Sequence, residues 1–213
     1  LGIIPSIGEG QFQNKSIFSI TSGKDKSKGS DGKLKRRLIT REDPRSPVSE
    51  AYRSLRTSML YSTADKKIKS ILISSAGPGE GKTTTVANLA ITYANLGKKT
   101  LLIDGDLRKP VLHKVFNTYN EKGLTHYLSG MEKKIETIIN PTDVENLQII
   151  YSGAIPPNPS ELLGSEKMSN LIRELKEKYD IILFDAPPIL AVTDAVVLSR
   201  LMDQFILIVR FGS

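Results

Sequence analysis

The sequence predicts an α/β fold in which a mostly parallel β-sheet is covered by helices on both faces. Short runs of Ile, Leu and Val recur from residue 70 onward, and several are continuous, as in strands that are buried on both faces. Segments with helical spacing of apolar residues separate these runs, which is typical of parallel strands joined by helices. The expected strands are 70–74, 100–104, 147–150, 181–185 and 205–209.

Two helices have clear starting signals. Ser46 is a candidate N-cap, and Pro47 fits the first turn of the helix that follows it. A later helix begins at Ser165, because apolar residues follow at i, i+3, i+4 and i+7 spacing. These apolar residues are Met168, Leu171, Ile172 and Leu175.

The composition is that of one globular unit with extensions. The chain has 213 residues, of which 39% are hydrophobic, and it contains no run of about 18 apolar residues. It shows no secretory signal pattern at its start. The absence of cysteine excludes disulfides and thiolate metal sites. Its two histidines, His113 and His126, are too few for an imidazole zinc cluster, and we expect them at helix surfaces or partly buried.

Positive charge is concentrated near the N-terminus. Residues 24–37 hold seven basic and two acidic residues, a local balance of +5 out of a net charge of +7. This stretch is rich in Ser and Gly and lacks apolar periodicity, so it is interpreted as a linker. It could meet an anionic membrane face or nucleic acid, or have no partner. We expect loop or linker over 10–45, and divide the chain into an N-terminal extension with a basic linker (1–45) and a folded domain (46–213).

A phosphate-binding loop follows the first expected strand. Residues 75–84, SAGPGEGKTT, have the Walker A spacing, with Ala76 at the usual first glycine. Glycines in the loop permit backbone dihedrals that aim N–H groups at a phosphate chain, and the helix that begins near Gly81 adds its positive dipole end. An ordinary glycine-rich turn is the alternative, but the apolar strand before the loop and the helix after it favour nucleotide binding. These features predict a nucleoside triphosphate site and a P-loop NTPase fold.

Two side chains at the end of the loop fit nucleotide chemistry. Lys82 offers a mobile positive charge to the β- and γ-phosphates, and we expect it to be partly solvent-facing. The Thr83 hydroxyl is a hard oxygen ligand suited to Mg²⁺. The residues expected to contact the nucleotide are Gly77, Gly79, Glu80, Gly81, Lys82, Thr83 and Thr84.

Acidic residues end two other expected strands. Asp104 and Asp106 follow one apolar run, and Asp185 ends another. Because ligands bind beyond the carboxyl ends of parallel strands, the three should converge near the loop. Asp185 suits the Walker B role at Mg²⁺, while Asp104 suits a second metal contact or the base that accepts a hydroxyl proton, with Asp106 as the alternative base. Arg108 either stabilises phosphate charge or locks its loop by pairing with an acid.

These motifs together resemble the bacterial tyrosine kinases of polysaccharide export. The resemblance rests on the Walker A loop, on residues 102–110 (LIDGDLRKP, a Walker A′ motif) and on 184–188 (FDAPP). Residues 153–163 (GAIPPNPSELL) resemble the family's loop before a late helix. The opening LGIIP resembles the stretch that follows the membrane adaptor in members that carry adaptor and kinase on one chain.

One further motif of this family concerns assembly. Glu50, Arg53 and Arg56 match its Glu-x-x-Arg-x-x-Arg helix motif, and a spacing of three places them on one helix face. From spacing alone, an exposed intrahelical ion pair is the simpler interpretation. The resemblance implies instead an oligomer interface that forms a ring.

The resemblance implies an ATP-dependent protein-tyrosine autokinase that uses ATP and Mg²⁺ and regulates polysaccharide polymerisation and export. The catalytic residues carried over are Lys82, Asp104, Asp106 and Arg108, and the metal residues are Thr83, Asp104 and Asp185. Implied partners are further copies of the chain, whose tyrosine tails are phosphorylated in trans, and a membrane adaptor on the same full-length chain. The implied location is cytoplasmic, at the inner face of the plasma membrane.

Two alternatives and one departure accompany this interpretation. The family phosphorylates a C-terminal tyrosine cluster, whereas the seven tyrosines here are scattered, so the acceptor tail and the last sheet elements are expected to be missing. Min- and Par-type ATPases share the deviant Walker motifs and offer a switch that controls partner or membrane binding. They carry a lysine near the start of the loop, where this chain has SAGP, which favours the kinase. A nucleic-acid partner is not expected, because only net charge supports it.

Overall fold

The computed structural model describes residues 3–4, 38–61 and 68–210. The basic linker, the first residues of the opening and the C-terminal end of the sequence therefore lie outside the described residues. The helices are α1 (Ile39–Glu42), α2 (Pro47–Tyr61), α3 (Lys82–Ala94), α4 (Leu112–Val115), α5 (Leu124–Leu128), α6 (Pro159–Leu163), α7 (Glu166–Lys178) and α8 (Asp194–Ser199). The strands are β1 (Ser70–Ser75), β2 (Thr100–Asp104), β3 (Ile139–Pro141), β4 (Leu147–Ile150), β5 (Ile181–Asp185) and β6 (Gln204–Ile208), and a 3₁₀ helix covers Ile135–Ile138.

Within the described residues, the six strands form one sheet in the order β3-β4-β2-β5-β1-β6. All neighbouring pairs are parallel except β3 with β4, which is antiparallel. The five expected strands are confirmed with shifts of one residue at most. Strand β3 was not predicted, because its three residues include a proline and show no apolar run.

Helices cover both faces of the sheet, as predicted. Successive residues of a strand point to opposite faces, so Ile71 and Ile73 join one core with α3, while Leu72 joins the other with α7. Ser165 caps α7 by accepting a hydrogen bond from Met168 N, and the four apolar residues predicted for this helix are all buried. His113 and His126 lie half-buried on α4 and α5, as expected.

Helix α3 is buried on nearly every side, because α1 and α2 cover the face that the sheet leaves free. Thr40 of α1 binds the Asn88 side chain of α3 through both its backbone N–H and its hydroxyl, at 2.9 and 2.8 Å. Residues 10–45 were expected to be loop or linker, which is wrong for Ile39–Glu42. A four-residue helix carries no periodic signal, and tertiary contacts with α3 stabilise it. Among the described residues, no helix is long and apolar enough to cross a membrane.

Candidate functional site

The phosphate-binding loop joins β1 to α3 and is braced by one of its own side chains. Gly79 and Gly81 have φ angles of 83° and 88°, in the left-handed region that glycine adopts at low cost. Gly77, by contrast, has no positive φ. Glu80 Oε2 accepts a hydrogen bond from Ala76 N at 3.0 Å. Glu80, which was expected to contact the nucleotide, therefore holds the loop together from within.

The first turn of α3 has no side-chain cap. Gly81 is its N-cap residue, so the first amides of this 13-residue helix receive no hydrogen bond from a capping side chain. Thr84 lies in this turn and is half-buried. Uncapped amides and the positive end of the helix dipole together favour the binding of an anion at the start of α3. The loop and the helix start thus present the donors that a phosphate group requires.

Lys82 lies between two carboxylates. Its Nζ is 3.1 Å from Asp106 Oδ2 and 3.1 Å from Asp185 Oδ1. The side chain is 11% exposed, so the lysine is partly solvent-facing, as expected, but most of it is enclosed. Burial lowers the pKa of Lys82, but the two carboxylates raise it by more, and the net pKa shift is upward. The ammonium group is therefore charged at neutral pH.

Thr83 and Asp185 form a pair of oxygen ligands beside the loop. Asp185 is fully buried at the end of β5, and its Oδ2 accepts a hydrogen bond of 2.6 Å from Thr83 Oγ1. Burial raises the pKa of Asp185, while Lys82 and Thr83 lower it, and the net shift is upward. Residues 38–61 and 68–210 contain no group of three or more His, Asp or Glu side chains suited to hold a metal. Thr83 and Asp185 fit a Mg²⁺ whose other ligands are phosphate and water oxygens.

Asp104 is as fully buried as Asp185, whereas Asp106 is 4% exposed. Asp104 pairs in register with Asp185 across β2 and β5. Its Oδ1 accepts from Asp106 N at 3.2 Å, and its Oδ2 accepts from Leu112 N at 3.3 Å. Burial and the charge of Asp185 hold the pKa of Asp104 well above its usual range. The predicted convergence of Asp104, Asp106 and Asp185 at one sheet edge is therefore present in the structure.

Arg108 pairs with Asp194 and not with any of the three aspartates at the nucleotide site. Its Nε and Nη2 donate to the two carboxylate oxygens of Asp194, at 2.8 and 3.1 Å, and Nη2 also reaches Ser160 Oγ at 3.1 Å. Of the two roles considered for Arg108, this geometry matches the lock on its loop. Sequence reasoning missed Asp194 and Ser160, because 86 and 52 residues separate them from Arg108. The one sequence feature that could have pointed to Ser160 is its position within the Pro-rich motif at 153–163.

The Glu-x-x-Arg-x-x-Arg residues divide into two groups. Glu50 and Arg53 form an intrahelical ion pair on α2, and Arg53 also donates to Pro44 O. Arg56 instead donates to Thr92 O at 2.6 Å, which joins α2 to α3. Glu50 is exposed and Arg53 is half-buried, so these two present charge at the surface while Arg56 supports the fold.

The comparisons identify relatives along most of the chain. The model of a family described as an AAA domain matches residues 68–210. The tyrosine-protein kinase YwqD of Bacillus subtilis is 44% identical over 187 residues, which cover 88% of this chain and 78% of YwqD. Other relatives are much longer: the tyrosine-protein kinase Wzc of Salmonella typhimurium is 38% identical over 82% of this chain, which spans 24% of Wzc.

Solved structures agree with these relatives. The kinase domain of the Escherichia coli tyrosine kinase ETK superposes with a TM-score of 0.79 and 35% identity, covering 83% of this chain and 69% of that domain. The septum site-determining protein MinD of Pyrococcus horikoshii, solved with Mg-ADP, is more distant, with a TM-score of 0.56 and 32% identity over 66% of this chain and 57% of MinD. Since a named kinase is this similar over most of both chains, the chain belongs to the bacterial tyrosine-protein kinases.

Proposed function

We propose that this site transfers the γ-phosphoryl group of Mg-ATP to a tyrosine hydroxyl. One observation carries the proposal: Asp185 lies 3.1 Å from Lys82 Nζ and 2.6 Å from Thr83 Oγ1, where the phosphate-binding loop leads into the uncapped first turn of α3. Phosphoryl transfer needs positioned positive charge and little covalent chemistry from the protein, which suits this arrangement. The distant MinD relative was solved with Mg-ADP, which supports a magnesium nucleotide as the ligand of the same loop.

Each group of the site has a distinct task in this proposal. The loop amides and Lys82 would hold the phosphates, while Thr83 and Asp185 would hold Mg²⁺. When bound, Mg²⁺ neutralises charge that develops on the phosphate oxygens. Asp106 accepts a hydrogen bond from Lys82 and so fixes the position of the ammonium group beside Asp185. Arg108 acts on its own loop through Asp194 and has no direct task at the phosphates.

Asp104 is the proposed base. A base works best when its pKa lies near the working pH, and burial together with Asp185 moves the pKa of Asp104 in that direction. Its two contacts to backbone amides are long, at 3.2 and 3.3 Å, and leave lone pairs for a substrate proton. Asp106 is the weaker candidate, because it is already in an ion pair with the Lys82 ammonium group, which has its own task at the phosphates.

The family also suggests the setting in which this kinase works. We propose that the full-length protein phosphorylates a tyrosine-rich segment of a neighbouring copy and that this phosphorylation controls polysaccharide polymerisation and export. The copies would assemble as a ring at the cytoplasmic face of the membrane, joined to a membrane adaptor. The length of relatives such as Wzc, of which this chain spans 24%, leaves room for an adaptor on the same chain.

The test is phosphotyrosine formation by the full-length protein, measured by immunoblot with ATP and Mg²⁺. Asp104→Asn should reduce it by about 10²–10⁴-fold, as removal of a general base typically does, because asparagine keeps the shape but accepts no proton. ATP affinity should change far less, since the loop makes most phosphate contacts. A protein that hydrolyses ATP without ever labelling tyrosine would contradict the proposal and support the Min- or Par-type switch.

A further inference from the structure

Asp194 is a fully buried carboxylate outside the nucleotide site, and its two side-chain partners, Arg108 and Ser160, lie in distant segments. It is the first residue of α8, and both of its oxygens are engaged. Oδ2 accepts from Arg108 Nε at 2.8 Å, and Oδ1 accepts from Arg108 Nη2 at 3.1 Å and from Ser160 Oγ at 2.5 Å. This two-point contact between a guanidinium and a carboxylate fixes both the distance and the orientation of Arg108.

The charge of Asp194 depends on this pairing. Burial raises the pKa of Asp194, but the hydrogen bonds from Arg108 and Ser160 lower it by more, so the net shift is downward. An unpaired carboxylate in this position would be unfavourable, because burial removes it from water. Arg108 is 40% exposed, whereas Asp194 is entirely buried, so the acid is the fixed member of the pair and the arginine is the member that it holds.

Arg108 lies on the loop that carries Asp106. This loop is fastened on one side of Asp106 by Gly105, whose N–H donates to Asp185 O at 2.8 Å. On the other side it is fastened by Arg108 through Asp194. Asp106 itself accepts from Lys82 Nζ and from Lys109 N, both at 3.1 Å. The carboxylate that orients Lys82 therefore lies between two fixed points, one on β5 and one on α8.

The loop passes close to the end of β5 at Gly105, where there is no room for a side chain. A Cβ atom at Gly105 would lie 3.1 Å from Asp185 O and 3.3 Å from Leu198 Cδ1. Leu198 belongs to α8, the helix that begins with Asp194. Helix α8 thus touches the loop at both of its fixed points.

We propose that Asp194 is a positioning residue for phosphoryl transfer, which acts through Arg108 to hold the Asp106 carboxylate against Lys82. Asp194 makes no hydrogen bond to Lys82, Asp104 or Asp185, so its effect on the reaction is indirect. The inference rests on the proposed function of the site, in which Lys82 binds the phosphates. Loss of the pairing lets the loop shift by a fraction of an ångström, which is enough to reduce turnover.

The experiment compares three variants of the full-length protein with wild type. Asp194→Asn keeps the shape and loses the charge, Arg108→Gln removes the guanidinium, and the third variant combines both. Steady-state ADP production with a Glu–Tyr copolymer as acceptor yields kcat and KM for ATP, and fluorescent ADP yields nucleotide affinity. Asp194→Asn should lower kcat about tenfold while KM and ADP affinity stay within about twofold. The double variant should be no slower than the slower single variant, because both changes break one link.

Matched controls separate positioning from general loss of stability. Asp203→Asn breaks an ion pair with Lys176 far from the nucleotide edge and should lower thermal stability while kcat stays within about twofold. Arg108→Lys keeps the charge but offers a single-point contact, and should recover part of the kcat lost in Arg108→Gln. An Asp194→Asn protein with wild-type kcat, or single-variant losses that multiply in the double variant, would overturn the inference.

A further variant, at Asp106, distinguishes the inference from the proposed function on which it rests. Asp106→Asn should lower kcat at least as much as Asp194→Asn, since it removes the carboxylate that is being positioned. If Asp106→Asn is slow and Asp194→Asn is not, only the positioning role fails. If Asp106→Asn has wild-type kcat, the task assigned to Asp106 fails and the positioning role fails with it.

Discussion

At the scale of single residues, the nucleotide site depends on charges that are distant in sequence. Lys82 contacts Asp106 and Asp185, which lie 24 and 103 residues away. Sequence reasoning placed all three at one sheet edge and expected a partly solvent-facing lysine, but it did not predict how much of the side chain the two carboxylates enclose. Two carboxylates beside an ammonium in a buried site keep all three charged groups paired, which avoids the cost of an isolated buried charge.

Replacement of Lys82 by methionine tests this arrangement. Lys82→Met should reduce Mg-ATP affinity by about 10- to 100-fold, because charge-assisted hydrogen bonds to phosphate are lost. Isothermal titration calorimetry measures the affinity, and circular dichroism verifies that the variant is folded, since Asp185 loses its counter-charge. Lys98→Met, at an exposed lysine between α3 and β2, is the control and should bind as wild type does. If a folded Lys82→Met protein binds Mg-ATP with wild-type affinity, the proposal that this loop binds the nucleotide is contradicted.

At the scale of elements, Asp203 joins three of them at the edge of the sheet opposite the nucleotide site. Its Oδ2 accepts from the backbone amides of Lys69 and Ser70, both at 2.9 Å, at the start of β1. Its Oδ1 pairs with Lys176 of α7 at 2.7 Å, and it immediately precedes β6. Burial raises the pKa of Asp203, but Lys176 and the two amides lower it by more, and the net shift is downward.

The pH dependence of stability follows from this lowered pKa. A carboxylate with a lower pKa in the folded state stabilises the fold above its unfolded pKa of about 4, and this contribution is lost as pH falls through the folded pKa. Asp203→Asn should therefore cost about 1–3 kcal/mol of unfolding free energy at pH 7, and the difference from wild type should shrink below pH 4. Urea unfolding at several pH values measures it. Glu174→Gln, in an exposed ion pair on α7, should cost less than about 0.5 kcal/mol. If the difference in unfolding free energy between Asp203→Asn and wild type does not change with pH, the lowered pKa of Asp203 is not its cause.

At the scale of the whole molecule, helix α2 presents the charges that we propose for assembly. Glu50 and Arg53 lie at its surface, whereas Arg56 is bound to Thr92 of α3. Burial lowers the pKa of Arg56, in keeping with its position between the two helices. We therefore propose that Glu50 and Arg53 serve assembly while Arg56 serves stability, a division that the equal spacing of the three residues does not reveal.

Sedimentation velocity can separate these two tasks. Combined Glu50→Ala and Arg53→Ala should shift the full-length protein toward monomer with little change in melting temperature, because an exposed pair contributes about 0.3–0.5 kcal/mol. Arg56→Ala should lower the melting temperature through the lost contact with α3. Glu174→Ala with Lys178→Ala, an exposed pair on the other face of the sheet, is the control and should assemble as wild type does. If the Glu50 and Arg53 variant assembles as wild type does, the interface interpretation is contradicted and the two residues form only an intrahelical ion pair.

Local pattern was enough to predict much of the molecule. The continuous apolar strands, the glycine loop and the helix that begins at Ser165 were predicted because each depends on residues close together in sequence. The edge where Asp104, Asp106 and Asp185 meet was predictable as well, because parallel strands place their carboxyl ends on one side.

The chain by itself determined five of the six described strands and the phosphate-binding loop, since strand burial and glycine conformation are local properties. Only the tertiary structure decided the burial of Lys82, the partner of Arg108 and the separate position of Arg56. Helix α1 and strand β3 were also decided there, because segments of four and three residues are stable only through contacts with neighbouring elements. These features depend on pairs of residues far apart in sequence, whose distances exist only once the chain has folded.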